Sequence, residues 1–80
     1  MHEFSLIASI LSIIDDQVRE HQLKQVDKVK LIIGSHRMVH FETLTFAFDQ
    51  LRREPLSREA VLEMEEREGF DFYIEYIEGE

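Results

Sequence analysis

The 80-residue chain contains no cysteine and no tryptophan. Without thiols, neither a disulfide nor a thiolate zinc site can hold the fold, and their absence suits a reducing compartment. Long apolar runs are also missing. The longest, Leu6 to Ile14, is broken by Ser9 and Ser12 and is too short to span a bilayer. The residues before it, opening with Met1-His2-Glu3, hold no Lys or Arg, and no small-residue cleavage site follows, so it makes a poor secretory signal. The expectation is a soluble cytoplasmic protein with no membrane partner. No internal repeat, linker or low-complexity segment interrupts the chain. No nucleophile–base constellation stands out either: Ser5, Ser9, Ser12, Ser35 and Ser57 are mostly accounted for by helix or turn positions, and Gly34 belongs to no phosphate-binding motif. The chain is therefore read as a non-enzyme.

Basic residues are scarce where acidic ones are dense. Residues 1–53 carry seven acids and seven bases, whereas residues 54–80 carry ten acids against Arg58 and Arg67, so the whole net charge of −8 lies in the last third. Such a surface repels phosphate backbones and excludes nucleic acid as a partner. It serves solubility and the protection of strand edges, and it could attract a basic partner.

Hydrophobic residues make up 44% of the sequence, enough for a core. At this length one small domain is expected, with a net stability of roughly 3–5 kcal/mol. Ile7, Ile10, Leu11, Ile14 and Val18 recur at helical spacing and predict a helix over Phe4–His21, with Ser5 as N-cap. Val29, Leu31 and Ile33 alternate with Lys28, Lys30 and Ile32 in a strand over Val26–Ile33, followed by a loop over Ser35–His40. Phe41, Leu44, Phe48 and Leu51 form the stripe of a second helix over Phe41–Arg53, which Pro55 stops. Leu56 to Arg58 read as a link. Ala60, Leu62 and Met64 face inward on a strand over Ala60–Glu66, and Phe72, Ile74 and Tyr76 do so on a strand over Phe70–Glu78. The short Glu66–Gly69 connection predicts that these last two strands pair as an antiparallel hairpin. The order α-β-α-β-β implies an α+β fold, a two-layer domain with both helices on one face of a three-stranded sheet.

The candidate chemistry starts at the first residues. The amine of Met1, the amides of His2 and Glu3 and the ring nitrogens of His2 lie within chelating distance along the chain. Nitrogen donors of this kind suit Ni(II) or Cu(II) in a square-planar field. Glu3 offers an amide nitrogen, or a carboxylate that orients the imidazole. His40, at or just before the first turn of the second helix, sits where the positive helix end keeps the ring neutral. If the two helices pack side by side, it becomes a fourth ligand. His36 is a weaker candidate on the same loop. His21 is explained by the C-terminal end of the first helix and is given no metal role.

The residues carry a resemblance to the HypA/HybF family, the nickel metallochaperones of hydrogenase maturation. It lies in Met1-His2-Glu3 with Ser5-Leu6, in Lys30-Leu31-Ile32-Ile33-Gly34, in Glu42-Thr43-Leu44-Thr45-Phe46-Ala47-Phe48-Asp49, in the acidic Leu62-Glu63-Met64-Glu65-Glu66, and in the element order. The resemblance implies a nickel site at the N-terminus, with the His2 imidazole and nearby backbone nitrogens as ligands. It also implies nickel insertion into the large subunit of a nickel–iron hydrogenase with help from a maturation GTPase, and for some members service to urease. A homo-oligomer is left open. The chain departs from the family pattern twice. Family members insert a zinc-binding segment with paired Cys-x-x-Cys motifs between their last two strands, where this chain has Glu66-Arg67-Glu68-Gly69, so residues 1–80 are read as a single nickel-binding domain with no structural zinc. A carboxylate followed by Pro is replaced by His40-Phe41. The alternative reading is a metal-free interaction module, or a regulatory paralogue that docks the GTPase.

Overall fold

The computed structural model describes residues 2–80, with His2 described by its backbone alone. Its elements are α1 (His2–His21), β1 (Val26–Gly34), a 3-10 turn (Ser35–Arg37), α2 (Phe41–Leu51), β2 (Leu56–Arg67) and β3 (Phe72–Gly79). The fold is the expected α+β arrangement of two helices on a three-stranded sheet.

The apolar stripe of α1 packs as its spacing requires: Ile7, Ile10, Leu11 and Ile14 are buried, and Val18 packs against the same cluster. The helix begins at His2, before Ser5, so Ser5 is an exposed helical residue and not the N-cap. At the other end Gln22 takes a left-handed φ of 57°. The Leu23 amide then donates back to the Val18 carbonyl at 3.0 Å, which closes the helix and returns Leu23 toward the core. In α2, Leu44, Ala47 and Phe48 are buried. This helix stops at Leu51, short of the expected Arg53, because Arg52 turns extended with ψ 141°. Its guanidinium then donates to the carbonyls of Arg58 (2.8 Å) and Ala60 (3.1 Å) and ties the helix end to β2.

The sheet corrects one expectation. The strand order is β2-β1-β3, with β1 parallel to β2 and antiparallel to β3, so the last two strands form no hairpin. Charge accounts for the order. On the face away from the helices β1 carries Lys28 and Lys30, and its neighbours carry Glu63, Glu65 and Glu75. Pairing β2 directly with β3 would set glutamates opposite glutamates, which is destabilising. With β1 between them, Lys28 Nζ lies 3.2 Å from Glu63, and Lys30 Nζ lies 3.3 Å from Glu65 and 3.6 Å from Glu75. Arg67 extends the network to Glu65 (2.9 Å) and Glu75 (3.1 Å). Burial agrees, since β1 holds Val26, Val29, Leu31, Ile32 and Ile33 at or below 1% exposure, the profile of a central strand.

Two irregularities set the faces of the outer strands. Between Val26 and Lys28 the partner on β2 jumps from Leu56 to Val61, so the segment read as a link is the bulged start of β2. Between Lys30 and Leu31 the partner on β3 moves from Tyr76 to Ile74, which leaves Glu75 as an extra residue. The bulge reverses the alternation beyond it. Phe72, Ile74 and Ile77 pack on the core, while Tyr76, expected to face in, lies opposite Lys30 on the outer face, with the ammonium 5.8 Å from its ring centroid.

The connection from β2 to β3 passes over the end of β1. The Gly34 amide donates to the Asp71 carbonyl at 2.5 Å and the His36 amide to the Gly69 carbonyl at 2.8 Å. Gly34 has an ordinary φ of −69°. It is glycine for space: a Cβ there would meet the Gly69 carbonyl oxygen and sit 2.7 Å from the Asp71 nitrogen.

Candidate metal centre

The two helices run in the same sense. Near the start of α1 the Phe4 ring meets Phe46 of α2 edge-on, with centroids 6.2 Å apart. Further along, Arg53, just past α2, donates to both oxygens of Asp15 on α1 at 3.1 and 3.0 Å. The N-terminal ends of both helices therefore gather at one end of the domain, beside the C-terminal end of β1. Ser5 and Leu6 of α1 share a shallow surface cleft of about 310 Å³ with Arg37 and Val39, the residues leading into α2.

Met1 and the His2 side chain lie outside the described residues. What the fold supplies is their setting: α1 begins at His2, with Glu3 half-buried in its first turn. The first amides of a helix have no acceptor within it, so the His2 and Glu3 nitrogens are not consumed by the helical ladder. His40 occupies the N-cap of α2, with φ −88° and ψ 122°. Its carbonyl accepts the Leu44 amide at 3.0 Å, while its side chain makes no capping hydrogen bond and is exposed to solvent. His40 thus stands at the end of the domain where α1 begins, the juxtaposition expected from side-by-side helices. His36 is exposed in the 3-10 turn, its ring 4.9 Å from that of Phe70. His21 closes the far end of α1, about 30 Å from the start of that helix at 1.5 Å per residue. Among the described residues no group of three or more His, Asp or Glu is placed to hold a metal ion.

Met38 was passed over in the sequence. It stands between His36 and His40 with a left-handed backbone, φ 58° and ψ 39°, and its side chain is 81% exposed. The signal available was its position, two residues from a histidine on either side. The exposure and the backbone angle needed coordinates.

No helix among the described residues is long and apolar enough to cross a membrane. The chain's fold is similar to that in the solution structure of the Ni metallochaperone HypA from Helicobacter pylori, with a TM-score of 0.72 and 16% identity, covering 92% of this chain and 70% of that one. The hydrogenase maturation factor HypA of Moorella thermoacetica is 30% identical over 113 aligned positions that take in all of both chains, so the alignment must open gaps in this shorter one. The corresponding factor of Beijerinckia indica is 42% identical over 69 residues, which are 86% of this chain but only 61% of that protein. The family model described as "Hydrogenase/urease nickel incorporation, metallochaperone, hypA" matches residues 1–70. That match takes in the opening tripeptide, both helices and the acidic β2 strand, and on it the chain belongs to the HypA family of nickel-incorporation metallochaperones.

Proposed function

We propose that this chain takes up Ni(II) at its first residues and passes it on for hydrogenase maturation. The His2 imidazole, the amides of His2 and Glu3, the Met1 amine and the His40 imidazole are five nitrogen donors, of which four fill the plane, and His40 stands in place of the family's carboxylate. The observation that carries this reading is the family match from residue 1 to residue 70. Further support comes from the cleft that the first turn of α1 shares with residues 37 and 39, which brings His40 to the same end of the domain. Electrostatics favours amide ligation there, because the positive end of α1 stabilises deprotonated amide nitrogens. The four-nitrogen field suits a square-planar d8 cation.

With no cysteine between β2 and β3, the proposed nickel site works without a thiolate zinc in that connection. Its proposed recipients are a maturation GTPase and the large subunit of a nickel–iron hydrogenase, with urease as a second destination, in the cytoplasm. Nickel is cargo here, bound and released without chemistry.

Titration of the untagged chain with Ni(II), followed by its d–d absorption, tests the reading. One equivalent should produce the band of a square-planar nitrogen site. His2→Ala should abolish it, an N-terminal extension should weaken it, and His40→Ala should shift it. Full nickel affinity in His2→Ala would sink the terminal site. No uptake by the wild-type chain would leave the metal-free docking module as the better account.

A further inference from the structure

We infer that the segment Ser35–His40 binds a soft monovalent cation, the cuprous ion, through the thioether of Met38 and the imidazole of His40. The first observation is an exposed thioether at the end of a turn. Met38 closes the 3-10 turn as its C-cap, with φ 58° and ψ 39°, the left-handed conformation that often ends a helical turn. Methionine normally fills gaps in a core, yet this side chain is 81% exposed, so packing does not account for it.

The second observation is direction. Val39 packs against the core. Its side chain points inward, and those of its two neighbours leave on the solvent side. The His40 ring is exposed and makes no capping bond to its own helix. Residues two apart along the chain have Cα atoms at most about 7 Å apart. A two-coordinate sulfur–metal–nitrogen bridge with bonds of about 2.0–2.3 Å fits between such side chains. His36 is the third donor of the segment. Its ring leans on Phe70 and its own amide is tied to the Gly69 carbonyl. Arg37, the one cation in the loop, is drawn away over the Phe72 ring at 5.4 Å.

The third argument is chemical. Thioether and imidazole are neutral donors, and a neutral set suits a monovalent cation, which needs no balancing charge. Thioether sulfur selects Cu(I) and discriminates against Ni(II), for which the terminal nitrogens are the better ligands. The two sites share His40 but not their defining donors, so this inference does not depend on the nickel reading.

The test uses the full untagged chain under reducing, oxygen-free conditions. Its methionines, Met1, Met38 and Met64, give three methyl signals. Titration with Ag(I), a redox-stable stand-in, should move the Met38 methyl and saturate at one equivalent, with the Met64 methyl unmoved. In competition with the chelator bicinchoninate, Met38→Leu should lose at least tenfold in Cu(I) affinity and keep its nickel band. His2→Ala should keep Cu(I) affinity and lose nickel. Because Met38 is exposed, Met38→Leu should keep the wild-type circular dichroism. Undiminished Cu(I) affinity in Met38→Leu, or movement of the Met1 methyl in place of the Met38 methyl, would overturn the assignment.

Discussion

Replacing Gly34 with alanine tests how tightly the β2–β3 connection is held over the end of β1. The added methyl would meet the Gly69 carbonyl oxygen and stand 2.6 Å from its carbon and 2.7 Å from the Asp71 nitrogen, all backbone atoms. Backbone cannot rotate aside as a side chain can, so the connection must lift. Lifting it strains or breaks the Gly34 amide bond to Asp71 and the His36 amide bond to Gly69. Overpacking costs about 1–3 kcal/mol, and each weakened hydrogen bond about 0.5–1.5 kcal/mol. The expected loss is about 2–6 kcal/mol, most or all of the roughly 3–5 kcal/mol available to a domain of this size. Urea unfolding followed by circular dichroism measures it. Inserting two glycines between Glu68 and Gly69 separates sterics from other causes. A longer connection adds little loop-closure cost and lets the segment swing clear, so Gly34→Ala should cost much less in that background. A loss below 0.5 kcal/mol for the single variant would refute the close approach. Strict additivity of substitution and insertion would refute the steric explanation.

Three other outcomes follow from the same structure. Nickel affinity should fall by at least tenfold per pH unit below about 6.5, since binding displaces an imidazole proton, and a flat profile by calorimetry between pH 7.5 and pH 5.5 would count against an imidazole ligand. Lys30→Met should destabilise the domain at neutral pH, because Lys30 lies within 3.9 Å of Glu63, Glu65 and Glu75, and only Lys28 and Arg67 then remain to offset their repulsion. The Arg67 hydrogen bond, and then that of Lys30, holds the Glu65 carboxyl below its usual range. Its stabilisation is therefore present above the unfolded carboxylate value and lost as pH falls through the lower folded one. The gap between Lys30→Met and wild type should accordingly narrow in urea melts as pH falls below the unfolded carboxylate value, and a gap of unchanged size would argue against the ion network. Met38→Gly should raise stability by about 0.5–1 kcal/mol by relieving the left-handed backbone, and a fall in melting temperature would mean that the loop conformation carries no strain.

Local pattern and long-range pairing were unequally legible in the sequence. The stripes of α1 and α2 and the inward Ala60, Leu62 and Met64 follow from periodicity alone, because burying one face is the dominant local requirement. The supposed hairpin failed because it was read from a short glycine-containing connection, whereas pairing was decided across the sheet by Lys28 and Lys30 against glutamates on both neighbours. Those charges were all visible. Read as partners and not as separate solvated faces, two acidic strands and one strand with outward lysines place the lysine strand in the middle. The facing of Tyr76 was not legible, since a bulge at Glu75 breaks the alternation without any marker residue.

The meeting of the α1 start with His40 rests on two short connections. Residues 22–25 turn α1 back into β1, and residues 35–40 turn β1 back into α2. Short links make consecutive elements run antiparallel, so each helix opposes β1 in direction and both helices begin where β1 ends. Parallel pairing of β1 with β2 then follows, because α2 serves as the crossover between them. The same geometry carries His36, Met38 and the Phe70 ring to that end, since the β2–β3 connection must cross there to reach the far side of β1. Donors from two separate stretches, the start of α1 and residues 36–40, thus come to one end of the domain through connectivity alone. What connectivity cannot set is which of them are free to bind, and that depends on the backbone angle that turns Met38 outward and on the unused N-cap side chain of His40.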